Sequence, residues 1–192
     1  MSKPQPAAPA DNPYDALRDV CDAFGDPFLP GGWKVEPVQA VDLPQPIQLL
    51  LVHNSHMTSV LEEHYGTPVV LHVRDVVLRP ERNEYHREIT LTAGPDGPTV
   101  EFGVVRIALS ALPASVAAEI VEQKRPLGEI LIRHDVLRRV EPRFYYRFAA
   151  DSAIAAYFGG DESCEVFGRV ARIMCSDLPA IRMLEAVAAP RR

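Results

Sequence analysis

Arg87 and Glu185 each interrupt an apolar face that alternates at period two. In the segment opening at Glu84, Tyr85, Ile89, Leu91 and Ala93 share one face, and Glu84, His86, Glu88, Thr90 and Thr92 share the other. Arg87 falls with the apolar set. Towards the C-terminal end, Ile181, Met183 and Val187 point one way and Glu185 points with them. A charge inside a protein is costly unless it is paired and hydrogen-bonded, so each residue needs a partner. The two can pair with each other, as buried ions do in many folds without any chemical role. Alternatively, Arg87 holds a ligand carboxylate with its planar fork of donors while Glu185 accepts a hydrogen bond from a ligand hydroxyl. Periodicity leaves both arrangements open.

Other residue types with chemical potential carry less. Arg106 sits among Phe102, Val104 and Ala108, but the opposite face of that segment is also apolar after Glu101, and an exposed surface arginine is expected. His53 and His56 have a one-turn spacing, yet no carboxylate or third histidine lies at a matching helical offset, so no metal site is expected there. His64, His72, His86 and His134 are scattered, and no GxSxG or Cys/His arrangement offers an activated nucleophile. The pairs Gly31-Gly32 and Gly159-Gly160 complete neither a GxGxxG nor a P-loop pattern and read as turns.

The elements that must position Arg87 and Glu185 follow from the same patterning. Asn12-Pro13 supplies a cap and first residue for a helix over 13–24, with Tyr14, Leu17, Cys21 and Phe24 at helical spacing. Residues 25–42 contain Pro27, Pro30, Gly31, Gly32 and Pro37 and predict a long loop. Pro46 opens a second helix, and Ser59 with Glu62 has capping-box spacing for a third that Gly66 ends. Six strands are then predicted, over 68–79, 84–93, 98–109, 137–148, 165–175 and 180–188, with a hairpin connection at Pro95, Asp96, Gly97 and Pro98. Helical patterns fall over 113–123 and around Ile154, Tyr157 and Phe158. Most strands are joined by turns too short for crossover helices, which predicts an α+β fold with a mostly antiparallel six-stranded sheet and helices on one face.

Composition sets the outer bounds. The chain has 192 residues, 47% of them hydrophobic, enough for one domain, expected over 13–190 behind a flexible tail over 1–12. A net charge of -6 without a basic run argues against nucleic-acid binding. Cys21, Cys164 and Cys175 form no CxxC pair and predict neither a disulfide framework nor a thiolate zinc site, which fits a reducing, cytoplasmic compartment. No secretory signal is read at the start, and apolar runs such as 47–52 are far shorter than the roughly 20 residues that span a bilayer, so no membrane insertion is expected.

With the elements placed, the order of short motifs resembles the chorismate pyruvate-lyase family. Those motifs are Leu50-Leu51 and Met57-Thr58, then Arg87-Glu88-Ile89, Pro126-Leu127-Gly128, Phe167-Gly168-Arg169 and Leu184-Glu185, and the resemblance covers roughly 45–190. It implies a mostly antiparallel sheet enclosing a ligand cavity beneath helical flaps, and conversion of chorismate to 4-hydroxybenzoate and pyruvate with neither metal nor organic cofactor. It places Arg87 as carboxylate binder, Glu185 as hydroxyl partner, and Met57 and Leu127 as flap and cavity positions, with Arg87 and Glu185 in the catalytic roles. Because related folds serve as effector-sensing domains in bacterial transcription regulators, the resemblance also implies a second possibility, a non-catalytic module for small aromatic acids whose protein partner is unknown. The chain departs from the family pattern at Val104, where a polar residue is common, and at Ala108 in place of a proline. The spacing from Gly168 to Glu185 is about one residue longer than the pattern. The extra residue goes either into the Ser176-Asp177 turn or into a bulge that would rotate Glu185 off its face.

Overall fold

The computed structural model describes residues 12–28, 32–159 and 164–189. Apart from Asn12, the expected tail lies outside them. Asn12 caps helix α1 (Pro13–Cys21): its side-chain oxygen accepts from the backbone N–H groups of Tyr14 and Asp15 at 2.9 and 3.1 Å, and Pro13 takes the first helical position. Strand β1 (Val35–Val38) lies within the stretch predicted to be a long loop. Helices α2 (Gln45–Leu51) and α3 (Met57–Tyr65) follow, and Gly66 ends α3 in the left-handed conformation at φ 66°. The expected capping box does not form, because α3 starts two residues before Ser59, capped at His56, and Glu62 instead accepts from the Val69 backbone N–H.

The chain then runs through β2 (Val69–Arg79), β3 (Glu84–Ala93), β4 (Thr99–Ala108), α4 (Ala114–Val121), α5 (Leu127–Arg133), β5 (Arg138–Phe148), a 3-10 turn over Ala153–Phe158, β6 (Val166–Cys175) and β7 (Leu178–Ala188). All seven strands form one antiparallel sheet in the order β1-β5-β6-β7-β4-β3-β2. The six predicted strands are present to within two residues at each end, and β1 makes a seventh. It is a short edge strand paired with β5, and Pro37 is tolerated there because an edge position need not donate to the ladder. Helix α5 was not anticipated, because Pro126 and Gly128 hide a start at Leu127.

The helices do not all lie on one face, as the alternation had suggested. One face carries α2, α3, α4 and α5, which bury Leu50, Leu61, Ile120 and Ile130 against Tyr85, Ile89, Val105, Ile173 and Met183. The other face carries α1 and the 153–158 turn, which bury Leu17, Val20 and Ile154 against Phe102, Tyr146, Phe148 and Leu184. Central strands covered on both sides lose their polar alternation.

Arg106 belongs to this second face, where it is largely buried rather than exposed. A direct cross-strand row runs Glu141, Arg172, Arg182, Arg106 and His86, which sets three arginines side by side. Like charges in that relation repel. Asp19 of α1 offsets this by accepting from Arg106 at 2.8 Å and Arg182 at 2.9 Å, while Glu84 accepts from Arg106 at 2.8 Å. Electrostatics therefore fixes where α1 docks, and the apolar residues beneath it supply most of the adhesion. Among the described residues no helix is long and apolar enough to cross a membrane.

Candidate functional site

On the face beneath α3 and α5 the sheet carries four charged side chains, all nearly buried: Arg87 on β3, Glu101 on β4, Arg169 on β6 and Glu185 on β7. Arg87 is 1% exposed, and its guanidinium Nε and Nη1 are inaccessible and without a hydrogen-bond partner among the described residues. Burial pushes its pKa down, opposed by the neighbouring Tyr85 hydroxyl and by Glu101. That hydroxyl is itself buried without a hydrogen-bond partner. A guanidinium keeps its proton in proteins, so the charge stays and its cost is borne by the fold.

Glu185 faces the same way, but its partner is Arg169 and not Arg87. The two lie directly opposite on β6 and β7, and Arg169 Nε donates to Glu185 Oε2 at 2.6 Å. Arg169 is fully buried, and its Nη1 also donates at 2.8 Å to the carbonyls of Leu51 and His53 at the C-terminal end of α2. A cation is well placed there, where helix carbonyls lack partners. Of the two arrangements left open above, the direct Arg87–Glu185 pair is thus absent. Next to the hairpin the β6–β7 register shifts, so that Ile173 pairs Ile181 but Met174 pairs Pro179. Ser176 and Asp177 form the turn with positive φ at both positions, the hairpin geometry that matches strand twist. From Ile181 onward the alternation is intact, and Glu185 keeps its inward face.

Glu101 gives no periodicity signal, because both faces of its strand read as apolar. It is 4% exposed and accepts no hydrogen bond from any described residue. Burial pushes its pKa well above the usual carboxylate range, the charge of Glu185 adds to the rise, and Arg169 and Arg87 oppose it. Gly103 makes room for it: a Cβ there would lie 3.0 Å from Ile89 Cγ1 and 3.4 Å from Glu101 Oε1. The Glu101 carboxyl therefore lies over Gly103, the residue directly opposite Glu185. Since folding raises this pKa, the native state holds a proton that the unfolded chain releases above the ordinary value of 4.5. Stability attributable to Glu101 is lost as pH rises from there to its raised pKa. Glu101→Gln should gain on the wild type across that window, by up to about 1.4 kcal/mol per pH unit. Urea unfolding of both proteins at pH 5 and pH 8 checks this, and an equal difference at the two pH values would contradict it.

Arg87, Glu101 and Glu185 line one pocket together with Met57 and Leu127, the two positions that only resemblance had suggested. Met57 is the first residue of α3 and Leu127 the first of α5. These helix starts meet closely, since a Cβ on Gly128 would lie 3.2 Å from His56 Cβ. The open space measures about 50 Å³, several times the ~10–15 Å³ that one water needs, so it is more than a packing defect. Ile89, Leu91, Val105, Val140, Ile173 and Met183 make its apolar walls. His56 also lines it, with Nε2 accepting from Arg138 Nε at 2.5 Å, and burial together with Arg138 lowers its pKa. His53 bonds the Leu50 carbonyl through Nε2. Among the described residues no group of three or more His, Cys, Asp or Glu is placed to hold a metal. Val104 lies on the opposite face, in the cluster of Phe102 and Tyr146, so its departure from the family pattern does not alter this pocket.

No family model matches the chain, and no curated protein does. Among solved structures it is similar to PhnF from Mycobacterium smegmatis, with a TM-score of 0.51 and 14% sequence identity. The fold is chorismate lyase-like. The match covers 70% of this chain and 63% of PhnF, less than two thirds of that protein's length. At this identity the likeness is one of fold and brings no activity with it.

Proposed function

We propose that the protein binds a small aromatic or cyclic monocarboxylate beneath α3 and α5, with Arg87 holding the ligand carboxylate. One observation carries this reading: a fully buried guanidinium whose Nε and Nη1 are left unpaired among the described residues lines an apolar-walled pocket. Such a group is expensive to retain unless a ligand completes it. Charge balance favours a single negative charge. The Arg169–Glu185 pair is neutral, burial biases Glu101 towards its protonated form, and one positive charge is left on Arg87. Incubation with 4-hydroxybenzoate well above its dissociation constant should raise the melting temperature by about 5 °C or more. No shift with this acid, with benzoate or with related ring acids would remove the reading.

A second reading, a cofactor-independent lyase converting chorismate to a hydroxybenzoate and pyruvate, is favoured by Met57, Arg87, Leu127 and Glu185 all lining the same pocket. Here Arg87 would fix the ring carboxylate, Glu185 would orient the ring hydroxyl, and the apolar walls would hold the enolpyruvyl side chain in a reactive pose. Chorismate carries a second carboxylate, for which the described lining of the pocket offers no second unpaired cation. Purified protein incubated with chorismate, followed for pyruvate and hydroxybenzoate, decides it: release at the spontaneous rate leaves the binding function alone.

A further inference from the structure

We propose that the ligand carries an amino group as well as a carboxylate, the carboxylate on Arg87 and the amino group between Glu101 and Glu185. This rests on the carboxylate-binding reading above and adds the chemistry of the pocket's other end. Glu101 lies over Gly103, directly opposite Glu185 across the β4–β7 pairing, so two carboxyl groups meet on one patch of sheet. Arg169 bonds Glu185 only through Oε2, while Oε1 and both oxygens of Glu101 accept no hydrogen bond from any described residue. Three carboxyl oxygens at that end therefore remain open to donors from a ligand. A hydroxyl brings one, and a primary ammonium brings three with the charge that two neighbouring carboxylates require.

The opposite end is the buried guanidinium of Arg87, its Nε and Nη1 unpaired among the described residues; Arg87 pairs in register with Val105 two residues along β4 from Gly103. Arg87 and Glu185 stand two strands and two residues apart, about 12 Å between Cα atoms for a flat sheet. A ligand that reaches both side chains would carry its two polar groups at opposite ends. Charge accounting agrees. With all four side chains ionised the site is neutral, and a zwitterion keeps it so. A ligand bearing only a carboxylate keeps the balance only while Glu101 retains its proton, which burial beside Glu185 favours in the free protein. Binding of the ammonium ligand thus ionises Glu101 and sends one proton to the buffer, with no change in the ligand's own protonation.

The test compares 4-(aminomethyl)benzoate with 4-ethylbenzoate, which has nearly the same shape and no charge at the far end, by titration calorimetry at pH 7 in buffers of different ionisation enthalpy. The amine is expected to bind wild-type protein about tenfold more tightly or better. It should release about one proton, and 4-ethylbenzoate none. In Glu101→Gln the affinity ratio should fall towards one and the proton release should vanish. Should that variant not fold, proton release by the wild type decides alone. Equal affinities, or amine binding without proton release, would overturn the proposal. If 4-ethylbenzoate binds in an Arg87-dependent manner while the amine gains nothing, this inference alone fails. If neither compound binds, or both bind equally to Arg87→Met, the carboxylate reading fails and takes this one with it.

Discussion

Arg87→Met should make the unliganded protein more stable, by about 1–3 kcal/mol, and at the same time abolish stabilisation by ring carboxylates. Ordinarily, loss of a large buried side chain destabilises. Here the side chain is a cation at 1% exposure whose Nε and Nη1 no described residue hydrogen-bonds, set between Tyr85 and Ile89 on an apolar face. Methionine is close in length, flexible enough to fill the vacated volume, and leaves nothing to solvate. The urea midpoint should rise without a change in slope, which marks a change in stability rather than in compactness. With 4-hydroxybenzoate present the order should reverse, because the wild type gains binding free energy and the variant does not. A clear loss of stability in the ligand-free variant would mean that Arg87 supports the fold, and the case for a binding role would go with it.

Arg169→Ala should have the opposite effect on stability, a loss of about 3–5 kcal/mol. This guanidinium, fully buried, satisfies Glu185 and two carbonyls at the end of α2, and its removal strands an ionised carboxylate among apolar side chains. The carbonyls of Leu51 and His53 would lose their donor too, loosening the segment that leads into α3 and the pocket. Removing both charges with Arg169→Met and Glu185→Leu should recover most of the loss, because two apolar side chains need no partner. Denaturant unfolding of Arg169→Met, Glu185→Leu and the variant carrying both gives the coupling directly. If Arg169→Ala alone costs less than about 1 kcal/mol, the pair is more solvated than its burial indicates.

These two arginines have the same charge, the same sheet face and near-identical burial, yet opposite expected effects. What separates them is whether the surroundings supply acceptors. Arg169 has three within 2.8 Å, and Nε and Nη1 of Arg87 have none among the described residues. Partner supply is a property of the packed elements, and it could not be read along the chain.

The strand framework was legible because backbone pleating writes itself into sequence as period two, and β3 and β7 kept enough alternation to expose Arg87 and Glu185 as misplaced charges. Arg169 and Glu101 escaped for the converse reason. Strands β4 and β6 are covered by helices on both faces, so both sets of alternating positions are apolar and a charge on either face looks the same. A charged residue inside a run such as 100–108 or 166–174 is the signal the sequence does offer. The two-sided helix packing and the edge strand β1 depend on contacts between residues far apart in the chain, which local pattern does not encode.

By itself, then, the sequence determined that the chain folds as α+β, where six of its strands run, and that Arg87 and Glu185 face inward, since each follows from local periodicity and turn chemistry. Only the tertiary structure decided that Glu185 pairs with Arg169, that Glu101 lies over Gly103 beside it, and that Nε and Nη1 of Arg87 are left without a partner among the described residues. Partnership is settled by cross-strand register and by the distances between elements, and those exist only once the sheet has closed and the helices have packed upon it.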